Sequence, residues 1–257
     1  MKSNRSESLQ PGTADSVGRA SRHRNTRVPE GVRTPPDWDG VACPVCHGAL
    51  RRMARRGPAG THLIHRATAD DHRCPLTTHA WQPDGLAVRQ RQDPRTTKAH
   101  YTTFLANWVR HYAAAKRLAP TLSIQRFARV IEYANVLNLW SHPQLRHEEL
   151  PYVLLALAGF IRQPGADGGS TWVHFFFDRS VRDVSDLWMS ERPADSLFFR
   201  MIYDEPAFTP FPTGAELICW ELLDRDESLT HADLPHVNGP DIRAFESFIA
   251  DSRRVGE

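Results

Sequence analysis

The residues most able to do chemistry are four cysteines and a run of histidines, and three of those cysteines stand close together. Cys43-Pro44-Val45-Cys46 places two thiols three positions apart, and Cys74 follows within about thirty residues, itself succeeded by Pro75. Two thiolates in a C-x-x-C turn can hold one ion from the same side, provided that the second half of the module supplies two more donors. Cys74 is the first choice, because thiolate is the preferred structural ligand for zinc. His65 is the next, with His62 a close competitor and His72 a third candidate. In an extended strand His62 and His65 point to opposite faces, so a single strand offers one of them to the ion. Gly48, just after the turn, is expected to supply a left-handed backbone. A catalytic zinc needs an open coordination position and an acid/base partner. Asp70 and Asp71 are the available carboxylates, but loop aspartates are ordinarily solvated, so a closed structural site is expected: zinc on Cys43, Cys46, His65 and Cys74.

Around these ligands the chain has to form a small hairpin. Gly57-Pro58-Ala59-Gly60 reads as its tip, with residues 49–55 and 61–67 as its arms. Arg51, Arg52, Arg55 and Arg56 lie on the first arm, and four cations on one side of a zinc hairpin make a candidate contact for nucleic-acid phosphates. The alternative is a solvated charged surface. Charge over the whole chain is uneven. Residues 1–98 carry 17 Lys and Arg against 9 Asp and Glu, a net of +8, whereas residues 99–257 carry 15 against 21, a net of −6. The basic front favours polyanions; the acidic remainder favours a protein partner and argues against nucleic acid wrapping the whole surface. Only Lys2, Lys98 and Lys116 are lysines among the 32 basic residues, a bias that reflects a GC-rich genome.

The motif Cys43-Pro44-Val45-Cys46-His47-Gly48-Ala49-Leu50, followed by His62-Leu63-Ile64-His65 and then Cys74-Pro75, resembles the N-terminal zinc ribbon of competence protein CoiA-like proteins. It is also similar to zinc-ribbon proteins carried on bacterial mobile elements, in which a run like Leu150-Pro151-Tyr152-Val153-Leu154-Leu155 can occur later. The likeness covers about 35 residues, and Leu63 stands where the CoiA-like pattern usually has Phe. It implies a bacterial zinc-ribbon protein that works on nucleic acid. CoiA-like proteins also carry a restriction-type nuclease domain, which needs a carboxylate two residues before a lysine. Thr96 and Ala114 occupy those positions here, so that nuclease is not expected.

The rest of the chain divides by composition. Residues 1–37 are polar and rich in Ser, Arg, Gly and Pro, and they read as a disordered basic tail. Residues 38–82 form the zinc-ribbon module, 83–97 a linker, and 98–250 an α+β domain of about three helices and a short antiparallel sheet. The module is expected to fold by itself, so that losing its metal would unfold residues 38–82 alone. Tyr101, Phe104, Leu105, Trp108, Val109 and Tyr112 fall on one helical face, in a helix that ends before Pro120. Ser123 can cap a second helix carrying Ile124, Phe127, Ile131 and Ala134. Pro151 suits the first turn of a third, read as 152–162 and apolar nearly all round. Residues 171–177, 196–203 and 216–222 read as strands.

Other chemistries find little support. A phosphate-binding glycine loop, a nucleophile-elbow serine and an HExxH motif are all missing from the sequence. His147-Glu148-Glu149 has the form of a deaminase HxE, but it follows the C-x-x-C instead of preceding it, and it reads as a solvated helix start. Cys219 reads as core. The aromatic runs 172–177 and 198–200 could stack bases, although such strands ordinarily fill cores. The longest apolar run is about half a membrane span, so no membrane association and a cytoplasmic location are expected. Three classes of function remain: a zinc-binding accessory protein touching DNA or RNA, a zinc-stabilised protein–protein adaptor, and an enzyme with a site in the α+β domain.

Overall fold

In a computed structural model, residues 42–43, 45–54, 61–66, 74, 85–165, 168–188, 196–225 and 236–255 are described. The tail 1–37, the hairpin tip Gly57–Gly60, and Arg55, Arg56, Asp70, Asp71 and His72 lie outside them. The fold is α+β: among the described residues four α-helices, a two-stranded hairpin and a four-stranded antiparallel sheet. The hairpin pairs β1 (Leu50–Ala54) with β2 (Thr61–His65).

Helix α1 (Pro94–Leu118) starts where its sequence allows. Asp93 accepts from the amides of Arg95 at 3.1 Å and Thr96 at 3.4 Å, and Pro94 occupies the first turn. It therefore begins within the stretch read as a linker. Upstream of it, Ala87 bridges to Asp183, donating to the Arg182 carbonyl and accepting from the Val184 amide, each at 2.9 Å. Helix α2 (Ile124–Val136) carries the Ser123 cap read from the sequence, with Ser123 Oγ accepting from the Arg126 amide.

Helix α3 is shorter than the sequence suggests. It spans Leu150–Leu157, and the chain then turns through Gly159 at φ +65° into an edge strand, β3 (Ile161–Pro164). The expected helix over 152–162 is thus corrected: a left-handed residue ends it, and the polar pair Arg162-Gln163 joins the sheet instead. Strands β4 (Ser170–Phe177), β5 (Phe198–Asp204) and β6 (Leu217–Leu223) match the three expected ones, and the sheet order is β3-β4-β5-β6. Helix α4 (Gly239–Val255) was not anticipated. Asn238 caps it by accepting from the Asp241 amide at 2.8 Å, and its Phe245 lies fully buried against Trp108 and Phe127.

Both faces of the sheet are covered. Val173, Phe175, Phe177 and Phe198 face the helices and join the larger core with Phe104, Phe127, Trp140 and Leu154. Phe176, Phe199, Met201, Tyr203 and Trp220 face the other way, and there they pack with Val45, Leu50 and the three cysteines of the N-terminal module. The molecule is layered as helices, sheet, and cysteine module. Each large apolar side chain sealed between the last two layers contributes about 1.5–3 kcal/mol.

Candidate metal centre

The C-x-x-C turn is built by two backbone bonds and one amide–sulfur contact. The His47 amide donates to the Cys43 carbonyl and the Cys43 amide to the Gly48 carbonyl, both at 2.8 Å, while the Gly48 amide approaches Cys46 Sγ at 3.4 Å. The left-handed residue of the turn is His47, at φ +57°, and not Gly48 as expected. Gly48 is buried inside the turn, where its amide and carbonyl close the loop around the sulfurs.

The hairpin then decides which histidine reaches the turn. Ala42 bridges Ala49, and Leu50 pairs with His65, so His65 sits at the end of β2 nearest the knuckle. His62 pairs with Met53, three residues nearer the hairpin tip, which is about 10 Å along a strand. The structure accordingly brings together Cys43, Cys46, His65 and Cys74, whose ligand atoms all lie within 4.8 Å of one another. All four are buried, with Cys74 fully so. His65 Nε2 is 3.0 Å from Cys46 Sγ, and Cys43 Sγ is 3.8 Å from Cys74 Sγ.

This set can hold a metal ion. Hydrogen bonds from the Cys46 and Cys74 thiols bring the Cys43 thiol down to about 4, while the contact with Cys43 pushes Cys74 well up. One thiolate is thus stabilised by its neighbours, and removing further protons from so buried a group calls for a compensating positive charge. A bound cation supplies that charge and lets every sulfur ligate as thiolate. Among the described residues no carboxylate belongs to the cluster, and four protein donors suffice for a tetrahedral shell, so the arrangement suits binding more than hydrolysis.

The arginine patch is brought only partly into view. Arg51 and Arg52 lie on β1, their backbone paired with Ile64 and Leu63. Other sequence readings change. His147-Glu148-Glu149 is a helix start, a short 3-10 turn running into α3 with Glu148 exposed, but it is only partly solvated: Glu149 pairs with Arg225 at 3.1 Å, and His147 Nε2 lies 3.3 Å from His100 Nδ1. His111 completes a row of three histidines, its ring 6.0 Å from that of His147. Burial lowers the pKa of all three, that of His111 to about 3, so they are neutral at ordinary pH. Spacings of 11 and 36 residues give this group no motif in the sequence. Cys219 is half-buried on β6, and burial raises its thiol, which leaves it without nucleophilic activation. Trp172 and the Phe176/Phe199 pair lie toward the cysteine module, where Phe176 and Phe199 are sealed from solvent and offer no stacking platform. Among the described residues, no helix is long and apolar enough to cross a membrane. Compared with known proteins, the chain matches no family model, no curated protein and no solved structure.

Proposed function

We propose that Cys43, Cys46, His65 and Cys74 bind one structural zinc ion, and that the protein is an accessory protein contacting DNA or RNA through the basic hairpin so held. The observation that carries the zinc reading is the convergence of three buried cysteines and one buried histidine with no carboxylate among them. Three thiolates and an imidazole favour zinc over oxygen-seeking cations such as magnesium or calcium. The nucleic-acid reading is supported by the +8 charge of residues 1–98, by Arg51, Arg52, Arg55 and Arg56 in and after β1, and by the resemblance of the motif to the zinc ribbons of CoiA-like proteins and to zinc-ribbon proteins of bacterial mobile elements. The acidic remainder of the chain is the side on which a protein partner would be met.

A direct test replaces Arg51, Arg52, Arg55 and Arg56 together by Gln. Zinc content should stay unchanged. Affinity for DNA or RNA should fall for every sequence, and the slope of log affinity against log salt should flatten by up to about one unit per lost contact. An unchanged affinity and slope would leave the adaptor reading. That second reading draws on one observation of its own, the burial of the metal cluster against the sheet, which suits an ion that stiffens a fold.

A further inference from the structure

Helix α1 turns one face toward the corner where the chain enters α3, and a cavity of about 240 Å³ lies between them. Asn107, Arg110 and His111 line it from α1; His147 and Glu148 line it from the corner. His111 is 5% exposed. Its Nε2 and the Nδ1 of His147 are both buried and have no hydrogen-bond partner. Each such orphan costs about 1–3 kcal/mol, and two of them on adjoining rings point to a shared ligand.

The ring geometry indicates what the ligand is. Two imidazoles on one tetrahedral ion, each with nitrogen about 2.1 Å from it, hold their ring centres about 5 Å apart. The His111 and His147 centres are 6.0 Å apart, so the two rings need to close by roughly 1 Å. His147 uses its other nitrogen on His100, at 3.3 Å, which is how ligating histidines are ordinarily fixed in orientation and tautomer. We propose that His111 Nε2 and His147 Nδ1 ligate a second transition-metal ion of the zinc class, with Glu148 as the third protein ligand and water from the cavity beyond it.

This site differs in kind from the cysteine centre. Among the described residues only the cysteine cluster already gathers three or more donors within 4.8 Å, so exposed Glu148 must rotate inward to complete the shell. Arg110 on the same wall opposes a cation, and the Glu148 carboxylate offsets it. The second ion is consequently held more weakly than the first, and it keeps open positions facing a cavity, as catalytic zinc does and structural zinc does not.

The test titrates the full chain, stripped of metal, with Co²⁺ and removes unbound ion by gel filtration. Two ions per chain should remain near saturation, the first with thiolate-to-cobalt charge-transfer absorption, the second without it. The ring-proton resonances of His111 and His147 should shift strongly as the second ion enters. His111→Gln and His147→Gln should each lose the second ion yet keep the charge-transfer band, which also reports that they fold; Glu148→Gln should weaken it about tenfold. One ion per chain with unshifted His111 and His147 resonances would overturn the site, as would two ions retained by both histidine variants. Loss of the charge-transfer band alone would instead count against the cysteine centre.

Discussion

The backbone amide of Arg179 donates to the carbonyl of Val45 at 2.8 Å, tying the loop after β4 to the middle of the C-x-x-C turn. The Arg179 guanidinium reaches the Cys46 carbonyl at 3.4 Å, and His47 Nε2 lies 3.6 Å from the carboxylate of Asp178. The knuckle is therefore fastened at its carbonyls by the sheet and at its sulfurs by whatever ion it holds.

Stripping the metal should for that reason disturb more than the module. The sequence suggests that residues 38–82 would unfold alone, but Cys43, Cys46 and Cys74 share one apolar cluster with Phe199, Met201 and Trp220. Cys43→Ser or Cys74→Ser should abolish binding of one zinc per chain and lower the stability of the sheet domain by more than about 3 kcal/mol. Calorimetry on the variants, with elemental analysis alongside, measures both. A main transition at the wild-type temperature would show that the two parts are energetically separate.

Asp178 is the second fastening. It is 3% exposed and accepts from the Leu197 amide at 3.1 Å and the Ser180 amide at 2.8 Å, with the Ser180 hydroxyl as a further donor. Asp178→Ala should cost about 3 kcal/mol in urea unfolding, since it strands donors in a buried place. Asp178→Asn keeps an acceptor oxygen and should cost less; equal losses would mean that the charge, and not the acceptors, matters.

His174 gives a pH signature. It is buried between Phe160 and Phe176, and burial brings its pKa down to about 3, with the Arg126 charge adding to the effect. The folded value lies below the unfolded one of about 6.5. Between them the unfolded chain binds a proton that the folded chain refuses, so this contribution to stability is complete above about 6.5 and falls as pH drops toward 3. His174→Phe should flatten the fall by up to about 1.4 kcal/mol per pH unit. Denaturant titrations at pH 7 and pH 5 would show it, and parallel losses in both proteins would contradict it.

Gly159→Ala should cost about 1 kcal/mol, because the residue sits at φ +65°. The added methyl would meet Arg126 Nη2 at an ordinary 3.6 Å, so the cost belongs to the backbone and not to a clash. A thermal melt that moved upward would refute this account.

Much of this was legible in the residues. Ser123, Pro151 and the period of Phe104, Trp108 and Tyr112 mark helices by local chemistry, and Cys43, Cys46 and Cys74 mark the metal cluster by spacing. What escaped was set at a distance. Phe160-Ile161 continues the apolar pattern of α3, and only Gly159 breaks it. The row of His100, His147 and His111 exists only once α1 meets the corner before α3. One signal was present but unused: Phe175-Phe176-Phe177 and Leu197-Phe198-Phe199 do not alternate with polar residues, as a sheet wet on one side would. Those unbroken runs already imply a second layer, which the cysteine module supplies.

The distance along the chain between the knuckle and its anchor has a consequence for synthesis. Cys46 and Arg179 are 133 residues apart, whereas Cys43 and Cys74 are separated by only 31. During elongation the ligands are all made early, and an ion can close the knuckle long before β4, β5 and β6 leave the ribosome. Through that interval Val45 and Leu50 have no sheet to cover them. A ribosome-bound chain halted before β4 should accordingly be captured by a hydrophobic-segment chaperone at the N-terminal module, and one halted beyond β6 should not.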